Sequence, residues 1–103
     1  MPIRKIVFIF SGLGLFLIML VQGCTSDIDK LSKTNQCVNC DLQALDLEKF
    51  DLRGANLTGA NLRGTNMRNA DLREAILTKA DLTDANLRYA NMRYVDLRGA
   101  ILT

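Results

Sequence analysis

The sequence predicts an all-β solenoid, a chain wound in stacked coils around one apolar axis, over residues 37–103. Three observations predict it. A central apolar residue recurs at every fifth position from Leu42 to Leu102, with Met67 and Met92 as the only changes from leucine. Two places before it stands a small residue, alanine at 55, 60, 70, 75, 80, 85, 90 and 100. One place before it stands Asp or Asn, except at Ile76 and Ile101. On an α-helix a five-residue step turns by about 500°, so successive leucines would circle the cylinder and leave no apolar face. On a flat strand the parity flips at each repeat and alternate leucines face opposite sides. Only a backbone that bends by a constant amount per pentad points every leucine at one axis. The small residue then lies inward beside it, and Asp or Asn hydrogen-bonds the bend. The last two positions of each pentad face water, and stacked coils hydrogen-bond at about 4.8 Å, as neighbouring strands do.

Ahead of the repeats come two shorter segments. Residues 1–23 carry the basic pair Arg4 and Lys5, an apolar run from Ile6 to Val21, and then "VQGC". A charged head, a short apolar middle and a small residue before a processing point form the order of a bacterial secretory signal. The run has 16 positions, short of the roughly 20 that cross a bilayer. Val21, Gln22, Gly23 and Cys24 resemble the lipobox of bacterial lipoproteins, which implies a lipidated Cys24. The other reading is an uncleaved hydrophobic N-terminal helix that anchors the chain. Either way the rest leaves the cytoplasm, and the envelope membrane is its first partner, inner or outer being left open. Residues 24–36 are polar, with Ile28 and Leu31 the only aliphatic side chains between Thr25 and Gln36, and are expected to be a linker with at most one helical turn packed on the repeats. An exported chain can form disulfides. Cys37 falls on a central place and Cys40 on a small place, so both point inward, as compact core residues or as a small disulfide capping the first coil.

"ANLTG", "ADLRE", "ADLTD" and "ANLRY" together resemble the signature of the pentapeptide-repeat family, alanine, Asp or Asn, leucine and two variable places. The resemblance implies a right-handed quadrilateral parallel β-helix with four pentads per coil, hence about three coils here. "CVNCDL", from Cys37 to Leu42, is similar to a common opening of such domains. Leu45 and Phe50 depart from the pattern, standing where alanine stands later, and are expected to plug the first coil; Thr65 and Val95 are milder exceptions.

An enzyme needs a positioned acid, base, nucleophile or metal. The chain has no histidine, and its regular carboxylates, Asp41, Asp46, Asp51, Asp71, Asp81 and Asp96, all occupy the bend-forming place. Catalysis is therefore not expected, nor a cofactor. The C-x-x-C of Cys37 and Cys40 has no second pair and no histidine to close a four-ligand metal site. The outward residues remain. Pentads four apart stack, which puts Arg53, Arg73 and Arg93 in one column and Glu48, Arg68 and Arg88 in the next. Stacked like charges repel unless compensated, for which Asp51, Asp71 and Glu74 are at hand. With Tyr89 and Tyr94, these arginines are the candidate binding face for a protein or another anionic partner of the envelope, since Arg and Tyr dominate interface energies.

The expected function is a non-enzymatic, membrane-tethered scaffold or interaction module outside the cytoplasm. The alternative comes from the family, some members of which protect DNA gyrase by imitating DNA with a strongly acidic surface. Residues 41–103 carry nine basic and nine acidic side chains, a balance that does not imitate DNA, and no nucleic-acid partner is expected. The last residues, "GAILT", lack a capping helix, and the coil edge built from Leu87, Met92, Leu97 and Leu102 is expected to dock a second copy of the chain or a larger partner.

Overall fold

A five-residue repeat closes into a coil only if the backbone bends at the same place each time, and the computed structural model, which describes residues 26–103, shows where. After each central residue the chain makes a β-turn. Ala60 N–H donates to the Leu57 carbonyl (3.0 Å) around Thr58 and Gly59, and Ala75 repeats this on Leu72 (2.9 Å) around Arg73 and Glu74. The second turn residue has positive φ at every pentad from Asn39 to Gly99, between 57° and 74°, as type II turns require. Glycine takes that conformation freely, whereas for side chains such as those of Ala44, Lys49 and Tyr89 it costs roughly 1–2 kcal/mol. The bend-forming Asp or Asn holds the turn from the other side: Asp51, Asn56, Asn61 and Asp81 each accept, through Oδ1, the backbone N–H two residues on, at 3.0–3.2 Å.

Four turns complete a coil. Ten parallel β-bridges, from Gln36 with Asn56 to Asp81 with Ile101, all join residues twenty apart, which is four pentads. Each pentad contributes a single bridge residue and no extended strand, because the next turn comes at once. Backbone bonds tie the coils on both sides. Leu72 N–H donates forward to Asn91 O and Asp71 N–H back to Phe50 O, at 2.8 and 2.9 Å. The winding brings all central residues from Leu42 to Leu82 to one buried axis, with Ala55, Ala60, Ala70, Ala75 and Ala80 packed beside them. Thr65, in the same row, is buried too, and its hydroxyl donates to Leu42 O at 2.7 Å, so no polar atom is stranded there. Leu45, Phe50 and Val95 are partly buried against this core.

The segment expected to be a linker forms a two-turn helix instead, α1, Asp27–Thr34. Its ends explain it. Ser26 accepts the Asp29 N–H (3.1 Å) as N-cap, Asp27 and Asp29 sit in the first turn and Lys33 in the last, and Asn35 closes the helix in a left-handed conformation with its N–H on Leu31 O. So short a helix is unstable alone; tertiary bonds hold it. Asp27 Oδ2 accepts from Asp41 N–H (2.7 Å), Asn35 Nδ2 donates to Arg53 O (2.9 Å), and Leu31 is buried over the first coil. The helix thus shares with Leu45 and Phe50 the work of covering the axis. Cys37 and Cys40 are buried and joined as a disulfide, with Cys37 Sγ 3.3 Å from the Asp27 carbonyl at the start of α1. The signal or anchor of residues 1–23 and Cys24 lie outside the described residues.

Leu72→Asp is expected to unfold the repeats, at a cost above about 4 kcal/mol, because it strands a charge on a fully buried axis; Arg73→Gln, on the adjacent outward place, leaves the melting temperature within a few degrees. Circular-dichroism melts of the two variants check the register, and equal damage from both would contradict it.

Candidate functional site

Side chains that leave the solenoid do so from its turns, so the bend-forming residue of a pentad decides what the first turn residue can do. Where that residue is Asp, the arginine two places on folds back on it with both ends of its fork. Arg53 Nε and Nη2 reach Asp51 Oδ1 and Oδ2 at 2.8 and 2.7 Å, and Arg98 does the same on Asp96 at 2.9 and 2.6 Å. Arg73 closes on Asp71 in the same way. Where the residue is Asn, the amide oxygen still holds the turn but offers no charge. Arg63, Arg68, Arg88 and Arg93 all stand in such pentads, with Asn61, Asn66, Asn86 and Asn91 accepting only their backbone N–H.

Adjacent coils compensate two of the four. Arg63 reaches Asp81 at 3.4 Å, and Arg68 reaches Glu48 at 3.5 Å. Arg88 and Arg93 have no carboxylate within ion-pair distance among the described residues, because the bridges put Arg68 and Arg73 in the equivalent places one coil back. They lie instead on tyrosine rings. Arg88 sits 5.4 Å from the centre of Tyr89 and Arg68 5.6 Å from the same ring; Arg93 sits 5.5 Å from the centre of Tyr94. The rings are 67% and 78% exposed, so these cation–π contacts are solvated and individually weak.

The expected binding face is therefore split. Arg53 and Arg73 stand in the predicted column, but their charge is taken by Asp51 and Asp71. Arg68, Arg88 and Tyr89 gather at one corner, and Arg93 and Tyr94 at the next. Glu74 makes no ion pair with the arginine column among the described residues. Beside the helix, a cleft of about 490 Å³ runs between Leu31 to Asn35 and Phe50 to Leu52; apart from Lys33 and Asp51 it is lined by uncharged side chains. Among the described residues no three His, Cys, Asp or Glu side chains converge to hold a metal ion, and no helix is long and apolar enough to cross a membrane. At the far end Leu87, Met92 and Leu97 are half-buried and Leu102 is 58% exposed.

The Arg53 fork holds the Asp51 carboxyl down at about 2, and Arg73, Thr83 and Arg98 lower Asp71, Asp81 and Asp96 by hydrogen bonds of the same kind. Depressed carboxylates contribute stability that is present above their unfolded range, near 4, and lost as pH falls through the folded values. The melting temperature should therefore hold steady above about pH 5 and fall from about pH 4 to pH 2. All four groups are solvent-facing, so the drop is modest; in Asp51→Asn with Asp71→Asn it shrinks, and an undiminished drop would assign acid sensitivity elsewhere.

Comparison with known proteins agrees with the winding. A family model described as pentapeptide repeats, in 8 copies, matches residues 36–73 and 65–103. The structure is similar to that of a pentapeptide repeat protein from the cyanobacterium Cyanothece 51142, with 35% identity and a TM-score of 0.65 over 66% of this chain and 47% of that one. It is also similar to a pentapeptide repeat protein from the Arabidopsis thaliana thylakoid lumen, with 31% identity and a TM-score of 0.53 over 67% of this chain and 52% of the other. This chain thus spans about half the length of these solved relatives. A search of curated proteins finds no similar sequence.

Proposed function

The chain belongs to the pentapeptide-repeat family, and from that premise we propose that it is a non-enzymatic interaction scaffold, wound with the family's right hand and tethered to a bacterial membrane on its extracytoplasmic side. The observation that carries the reading is where the ionisable groups go. Asp51, Asp71, Asp81 and Asp96 engage both oxygens in holding turns and neighbouring side chains, and Asp41 and Asp46 each commit Oδ1 to their own turn and to an asparagine one coil on, so the row serves the fold. What the solenoid offers to a partner is a rigid surface of turn side chains. Tethering is supported by the basic pair Arg4 and Lys5, the apolar run and "VQGC" ending at Cys24. A role as a DNA mimic acting on gyrase draws no support from a repeat region whose nine basic and nine acidic side chains balance.

Two measurements test the parts separately. Mass spectrometry of the protein from the envelope fraction should find an acylated Cys24 at its N-terminus, and Cys24→Ala should abolish the acylation. An intact Met1 at the membrane would replace lipidation by an uncleaved anchor, and recovery from the cytosol would refute tethering. For the scaffold, photo-crosslinkers placed in turn on each of the four sides of the solenoid should give a discrete adduct from at least one side. No adduct from any side would refute it.

A further inference from the structure

We propose that the two corners Asn86 to Tyr89 and Asn91 to Tyr94, with Arg68 beside them, dock the carboxylates of an acidic protein segment. The inference rests on the scaffold reading and narrows it to one place and one partner chemistry.

Three observations meet there. First, aspartate neutralises arginine within the pentad at Asp51, Asp71 and Asp96, whereas Asn86 and Asn91 hold the same turn without taking the charge. From Ala85 to Val95 the chain carries Arg88 and Arg93 and no acidic residue; the other such run, Leu52 to Ala70, has its Arg53, Arg63 and Arg68 answered by Asp51, Asp81 and Glu48. Second, the guanidinium groups lie over tyrosine rings, and Arg88 Nη2 also approaches Tyr89 Oη at 3.4 Å. A guanidinium over a ring makes no ion pair there, which leaves N–H donors to receive a carboxylate with two parallel hydrogen bonds. Third, both tyrosines sit at the positive-φ turn place, with φ of 63° and 62°, which Gly, Asn or Asp fills at 39, 54, 59, 64, 69, 84 and 99 and Ala44, Lys49, Glu74 and Lys79 fill elsewhere. The turn gains nothing from an aromatic ring, and Tyr89 and Tyr94 are the only rings placed there among the described residues, both exposed beside an arginine.

The charge count selects the partner. Arg68, partly compensated by Glu48, and the two uncompensated arginines sit on a repeat region with no net charge, too few to hold a bilayer surface or a phosphate backbone against salt. Two exposed rings flanked by arginines instead match the residue types that anchor protein interfaces.

The test uses the full-length protein in detergent, a fluorescent peptide of alternating Glu and Ser, its Gln counterpart, and glycerophosphoglycerol, the water-soluble headgroup of an anionic lipid. Wild type should bind the Glu peptide and neither of the others. Asn86→Asp with Asn91→Asp should recapture Arg88 and Arg93 inside the pentads and weaken binding by roughly tenfold or more, with every arginine and tyrosine retained. Tyr89→Gly with Tyr94→Gly should also weaken it while the melting temperature stays or rises, which separates a docking role from a structural one. No Glu-peptide binding, equal binding of the Gln peptide, binding of the headgroup alone, or full affinity in the Asp double variant would each overturn the proposal. A crosslinked partner found on another side of the solenoid would overturn it while leaving the scaffold reading intact.

Discussion

Every feature of the solenoid depends on one constraint, a positive-φ residue at the fifth place of each pentad. The turn it makes sends the next small residue back toward the axis, and four such turns bring the chain above itself after twenty residues. Backbone N–H and C=O groups on either side of the bridge residue then pair with the coils before and after, so a backbone with almost no strand still ties each middle coil to both neighbours. Burial of leucine is the driving force, but it acts in phase only because the bend recurs in phase. The left-handed conformation costs most side chains free energy at every coil, and the ladder and the buried row offset that cost together.

That dependence explains what was legible in the sequence. The period of five excluded helix and strand, and it placed Leu42 to Leu102, the alanines and both cysteines inward without any structure. The bend role of Asp and Asn was legible too. The helix over Asp27–Thr34 was not, although Ser26 and Asp29 spell an N-cap and a charged first turn, because its stability comes from Asp41, Arg53 and the buried Leu31 and not from its own eight residues. The state of Cys37 and Cys40 also needed coordinates, since core packing and a disulfide demand the same inward register.

The arginine columns show a subtler limit. Stacking alone puts Arg53, Arg73 and Arg93 in one line and makes them look alike. Their difference lies two residues earlier, in Asp51 and Asp71 against Asn91, a pair of residue types that serve the turn equally well. An i,i+2 contact means little in a helix, where those side chains diverge; at a type II corner it brings a carboxylate and a guanidinium into bidentate reach. A signal for it was present in the sequence as "DLR" against "NLR" and "NMR", but only the turn geometry gives those strings different meanings.

The same alternation lets a repeat protein vary its surface at almost no cost to its fold. Asp and Asn both hold the corner, so exchanging them changes whether an arginine is closed on its own pentad or presented to solvent, while the axis and ladder stay as they are. The second turn place works in the opposite direction. Glycine there favours the fold, and a large side chain such as Tyr89 or Tyr94 opposes it and also extends the surface. A coil that combines Asn at the bend with Tyr at the corner has given up an internal ion pair and relaxed turn geometry at the same place, and has done so twice in succession. Elsewhere Asp51, Asp71 and Asp96 close their arginines internally, and Asp81 and Glu48 answer Arg63 and Arg68 from adjacent coils, so two successive corners with an unanswered arginine and a tyrosine distinguish surface presented to a partner from surface that only faces water.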